Sequence, residues 1–185
     1  MKPSLAAGLA AGVLAVAAAP APAAPVTVDL RIEGAARTLF EGPVTTDVRP
    51  FRFTGGEPHP CGTVVTSGQV IAAAAESTPF TLTGTWNEDF GSPMFETVAG
   101  EDVRFDGERY LAEYKNGVPP DTGSCGVPVA NGDRVLFAFA AFGAKVLQLS
   151  GPATARPGES VTLKVTDAAT GAAVAGATVA GAASG

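Results

Sequence analysis

From Val26 to Glu33 apolar and polar residues alternate: Val26, Val28, Leu30 and Ile32 fall on one side, Thr27, Asp29, Arg31 and Glu33 on the other. A period of two over this length predicts a half-buried strand. Gly34-Ala35-Ala36 interrupts it, and Arg37 to Thr46 resumes with Leu39, Phe40 and Val44. The short connection predicts an antiparallel hairpin. Phe51 to Gly62 is rich in Gly and Pro and reads as loop. Ser67 to Ser77 then carries Val70, Ile71 and four alanines, with Ser67 as the cap and Pro79 just beyond. That pattern predicts one short helix anchored by Val70 and Ile71.

Alternation returns at Phe80 to Trp86, where Phe80, Leu82 and Trp86 share a face and Thr81, Thr83 and Thr85 the other. Val103 and Phe105 suggest a short strand. Arg109 to Lys115 suggests another, with Tyr110, Ala112 and Tyr114 opposite Leu111 and Glu113. Asn116-Gly117 and Asn131-Gly132-Asp133 are turn signals, and Arg134 to Phe142 reads as a strand rich in Val, Leu and Phe. Beyond Lys145, apolar residues alternate at Val161, Leu163 and Val165 and recur from Val174 to Val179. Strands separated by turns at about ten residues suggest the opening of an Ig-like sandwich, and about 40 residues are too few for a whole one.

The first residues carry a different pattern. Lys2 precedes an apolar Ala/Leu/Val/Gly run from Leu5 to Ala19, and Ala21-Pro22-Ala23 offers a small-residue cleavage site. These are the three parts of a secretory signal, and the run is shorter than a spanning helix needs. Residues 1–24 are therefore read as a signal peptide. Residues 25–144 form one domain and 145–185 the start of another, cut short at Gly185. Export places the chain outside the cell or on its surface, with no stable membrane span in the mature segment.

Composition sharpens this picture. Charged residues make up 16% of the chain, with 23 Gly and 15 Pro, which suits short strands joined by many turns. Acidic residues outnumber basic ones 18 to 12, and no basic run occurs. Nucleic acid and anionic membranes both need clustered Lys/Arg, so neither is an expected partner. In an exported chain the two cysteines, Cys61 and Cys125, are expected to pair. Closing a loop of that length contributes roughly 4 kcal/mol in the chain-entropy model.

Candidate chemistry is sparse. The sole histidine, His59, lies between two prolines with no G-x-S-x-G serine to serve, and reads as an exposed loop residue. Glu88-Asp89 and Glu101-Asp102 are acidic pairs, but neither belongs to a calcium-loop motif. One His and two Cys without close spacing make no zinc set. No metal or other cofactor is expected. Trp86, Tyr110 and Tyr114 either fill the core or present a flat recognition surface, with Asn116 as a second contact. The expectation is a binding or adhesion module and not an enzyme. Its ligand would be a small molecule, a glycan or a surface protein.

Several of these segments together resemble a known family. Val28-Asp29-Leu30-Arg31-Ile32-Glu33-Gly34 with Thr38-Leu39-Phe40-Glu41-Gly42-Pro43-Val44-Thr45-Thr46 resembles the opening hairpin of the DUF4430 family, a domain also found at the C-terminus of transcobalamin. Tyr114-Lys115-Asn116-Gly117 and Asn131-Gly132-Asp133-Arg134-Val135-Leu136-Phe137 resemble its later strands. The resemblance spans Val26 to Phe142. It implies an α+β fold, a small β-grasp-like mixed sheet with one short helix, followed by a partial Ig-like β-sandwich. In transcobalamin the related domain closes over cobalamin, so a corrinoid is the alternative ligand that the resemblance implies. The large helical domain that completes that site is absent from this sequence.

Overall fold

The computed structural model describes residues 24–179. All but the last residue of the expected leader lie outside that range. The first hairpin forms as the alternation predicts: β1 (Val26–Glu33) pairs antiparallel with β2 (Thr38–Thr46). Val28, Leu30 and Ile32 are at most 1% exposed. The expected helix is α1 (Ser67–Ser77). Its cap is Thr66 and not Ser67, because Thr66 is still extended (φ −123°, ψ 162°) and its N–H is accepted by Gln69 Oε1 at 2.9 Å. Gln69 then donates to the Arg49 carbonyl at 2.5 Å, tying the helix start to the loop after β2.

Three strands follow: β3 (Leu82–Asn87), β4 (Ser92–Val98) and the short β5 (Glu101–Asp102), in an antiparallel sheet of order β3-β4-β5. The strand expected at Val103 and Phe105 is corrected. The strand ends at Asp102: Val103 is buried with its N–H donating to the Glu96 carbonyl of β4 at 2.9 Å, and Phe105 is 60% exposed with no strand partner. Next come β6 (Arg109–Lys115) and β7 (Arg134–Ala141). They complete a mixed sheet of order β2-β1-β7-β6, in which β7 runs parallel to β1 and antiparallel to β6. The Asn116-Gly117 turn after β6 has φ of 52° and 83°, the left-handed pair that an N-G turn supplies.

The inner face of the mixed sheet carries Val28, Leu30, Ile32, Val135 and Phe137. Helix α1 covers it over β1 and β2, while Phe95 of β4 meets Phe137 of β7 at 5.8 Å. Helix and second sheet thus close a single core over one face. This is an α+β architecture with a mixed sheet and one short helix. After Ala144 the chain forms a two-stranded ribbon, β8 (Leu147–Ser150) with β9 (Lys164–Asp167). Among the described residues Val161 to Leu163 and Val174 to Val179 form no strand, so a sandwich is not built there.

Cys61 and Cys125 form a disulfide, with Cα atoms 4.7 Å apart. It joins the loop before α1 to a 3-10 turn at Ser124–Gly126. The helix start packs directly on it. A Cβ at Gly68 would lie 3.1 Å from both sulfurs, so only glycine fits without displacement.

Candidate functional site

The register of β6 builds the site. Leu111 and Glu113 lie opposite Phe139 and Phe137 of β7, so both point to the inner face. Leu111 joins the core, and Glu113 reaches Ser67 Oγ at the first residue of α1. Ser67 is fully buried, and half-buried Glu113 sets its carboxyl against that hydroxyl.

Ser67 Oγ also lies 2.9 Å from the Ser124 carbonyl, an acceptor. One hydroxyl carries one proton, yet a carboxylate and a carbonyl would both call on it. Both contacts are satisfied when Glu113 is protonated, donating to Ser67 Oγ while Ser67 donates to Ser124. Burial acts the same way and pushes the Glu113 carboxyl up to about 7, against a smaller opposing effect of the Ser67 contact.

Among the described residues no cation offsets this acid. Lys115, on the same face, donates to the Pro128 carbonyl at 3.0 Å and lies 3.7 Å from Asp133. Arg109 is held by Asp106 at 2.9 Å and stands over the Phe139 ring. Glu113 forms one side of an open cleft of about 210 Å³. Its walls include Pro93, Phe95, Leu111, Phe137 and Pro120, with Tyr110 beside them. Ser124 also lines it. That residue is 5% exposed, and its Oγ is buried with no hydrogen-bond partner. Such an orphaned hydroxyl is unusual, because buried polar atoms are normally paired.

The residues singled out by sequence do not gather at one place. Trp86, half-buried on β3, is stacked on His59 with ring centroids 4.5 Å apart and planes 9° apart. His59 is thus not the freely exposed loop residue expected, because the Phe51–His59 backbone bridge folds the Gly/Pro loop back onto β3. Tyr110 lines the Glu113 cleft and stacks on exposed Phe142 at 4.4 Å. Tyr114 is buried on the other face of the sheet, where its hydroxyl donates to the Ala144 carbonyl at 2.9 Å and burial raises its pKa. Asn116 braces the turn, donating to Asp133 at 2.8 Å and accepting from the Arg134 N–H at 2.9 Å.

The acidic pairs have partners or face water. Glu101 takes Arg37 at 2.9 Å, Asp102 takes Arg104 at 2.5 Å, and Glu88 and Asp89 are exposed. Among the described residues no three His, Cys, Asp or Glu side chains converge to hold a metal.

Sequence reading passed over Glu113. Its signal was its place on the same side of the strand as Leu111, an acid in the inward register, which alternation alone marks as half of an ordinary amphipathic strand.

Against known proteins, no family model matches the chain and no curated protein matches it. The disulfide fits an oxidising, extracellular setting. Among the described residues no helix is long and apolar enough to cross a membrane.

Proposed function

We propose that the chain is a secreted or cell-surface binding or adhesion module, non-enzymatic, with the Glu113 cleft as its binding site. One observation carries this reading: an open cleft lined by a half-buried, uncompensated carboxyl among apolar and aromatic residues, with an orphaned hydroxyl sealed in its wall. Apolar enclosure with a few converging polar groups and a perturbed acid is the usual character of a ligand site. The Ser67 to Ser124 floor is held by the disulfide and the helix start, so the polar groups are set in place before a ligand arrives. The leader-like N-terminus and the resemblance to the DUF4430 domain followed by Ig-like segments support surface display.

The test is a panel of small polar, aromatic and glycan fragments titrated into the labelled, oxidised chain, read by amide chemical shifts. Saturable shifts confined to residues 111–125 are expected. Shifts that never reach those residues with any fragment remove the reading.

A second reading rests on the opposite sheet face. A groove of about 870 Å³ lies there between Leu136, Ala138 and Ala140 of β7 and Val146 to Leu149, with Tyr114 in its lining. Small alanines leave that space open, and its volume suits a ligand larger than the cleft admits. In this reading the groove would take the corrinoid that the family resemblance implies. A visible-band shift on adding cobalamin supports this reading, and an unchanged spectrum at high micromolar ligand removes it.

A further inference from the structure

We infer that the Glu113 cleft is built to take a primary ammonium group on an unbranched aliphatic stem, such as a lysine side chain presents. This rests on the cleft being the module's binding site and names the chemistry of its ligand.

Size comes first. About 210 Å³ lies below the roughly 300–1,000 Å³ of pockets for drug-sized ligands, so the occupant is a single side-chain-sized group. Walls of Pro93, Leu111 and Pro120 suit a methylene stem, and Phe95, Phe137 and Tyr110 put aromatic rings along the same space. Rings attract a cation through their faces, most strongly where water is excluded.

Charge decides the head group. Glu113 and Tyr110 are the titratable groups lining the cleft. From β6 itself, Lys115 and Arg109 are turned to Asp133, Pro128 and Asp106. Helix α1 contributes Ser67, the 3-10 turn Ser124, β7 Phe137, and β4 Pro93 and Phe95, none of them charged. Asp121, exposed beside Pro120, adds only negative charge nearby. A carboxyl with no cation of its own, raised to about 7 by burial, keeps its proton in the empty cleft at pH below that value.

An arriving ammonium reverses that balance. Glu113 releases its proton to solvent and becomes the counter-ion, and Ser67 Oγ can turn its one proton from the Ser124 carbonyl to the carboxylate. The positive end of α1, whose first residue is Ser67, favours the same ionised state. A neutral head group gains nothing from ionising Glu113, and an anionic one is repelled by the carboxylate.

The test uses the full oxidised chain with n-butylammonium as the probe and n-butanol as its neutral counterpart, read by calorimetry and amide shifts. Butylammonium should bind saturably with cleft shifts, releasing close to one proton per ligand at pH 6. With the carboxyl near 7 in the empty cleft, affinity should be about 100-fold weaker at pH 5 than at pH 8, while the amine stays charged throughout. Glu113→Gln keeps the shape and removes the charge, and should weaken binding about 10- to 100-fold.

Butanol binding as tightly as butylammonium, or pH-independent ammonium binding, overturns the cation assignment and leaves the cleft as a binding site. Cleft shifts from neither probe, nor from any member of the fragment panel, overturn the site itself.

Discussion

Strands β1 and β8 are written in similar alternation and end in different states. Val28, Leu30 and Ile32 of β1 are sealed at 1% exposure or less, whereas Leu147 and Leu149 of β8 stand 52% and 53% exposed. The difference is their neighbours. Strand β1 is hydrogen-bonded on both sides, to β2 and β7, and lies beneath α1. Strand β8 has β9 alone, and no described layer covers its apolar positions. Alternation therefore specifies a strand, while burial has to be supplied by a second layer. In the stapled body that layer is an 11-residue helix too short to persist alone, fixed by a disulfide at its start.

Removing the staple should erode the contrast most. With both cysteines replaced by alanine, the chain-entropy model expects a loss of roughly 4 kcal/mol. For a body of about 120 residues this lowers the Tm by roughly 10–20 °C. Scanning calorimetry of the oxidised chain against the double variant measures it. A shift of only two or three degrees would mean that packing of α1 already confines the loop, and that the staple is not what separates body from ribbon.

Next in size is pH. Glu113 belongs to the body, and its folded-state carboxyl is raised from 4.5 to about 7. Between these values the folded state holds a proton that the unfolded state has released. The corresponding stability is fully present below about 4.5 and disappears as pH rises through about 7. The shift converts to about 3 kcal/mol between those limits. Glu113→Gln should flatten this part of the profile and be the more stable protein at pH 8. Denaturant melts at pH 5 and pH 8 provide the check, and parallel profiles for the two proteins would show that Glu113 stays ionised when folded.

The elements legible in sequence were those whose local chemistry agreed with their final state. Strand β1, helix α1 and strand β6 fall on the expected residues, and the Asn116-Gly117 turn carries its own left-handed signal. Strand β4 was not read, for two local reasons. Pro93 sits inside it, and in the Ala99-Gly100 turn to β5 (φ 51° and 81°) alanine holds the left-handed place where Asn or Gly is usual, so only half of the signal is present. The site was hidden for a related reason. Glu113, Ser67 and Ser124 are distant in sequence, and they meet because β7 sets the register of β6 while the disulfide brings the Ser124 turn against the helix start. Aromatic residues drew attention to recognition surfaces, and the structure spreads them instead among the His59 stack, the cleft wall and the Ala144 contact.

The smallest effect is expected in the ribbon, and it tests the comparison most directly. Leu149 pairs across to Val165 on β9 yet keeps about half its surface in water. Leu149→Ser removes apolar area that was never sealed, so it should cost no more than about 0.5 kcal/mol. The equivalent truncation of sealed Leu30 to alanine should cost about 2–5 kcal/mol, because it leaves a cavity between β1 and its covering layer. Thermal melts of the whole chain, with tritration of denaturant as a second measure, compare the two. A loss near 2 kcal/mol for Leu149→Ser would mean that another surface covers β8 in solution, so that the ribbon, like β1, has a second layer.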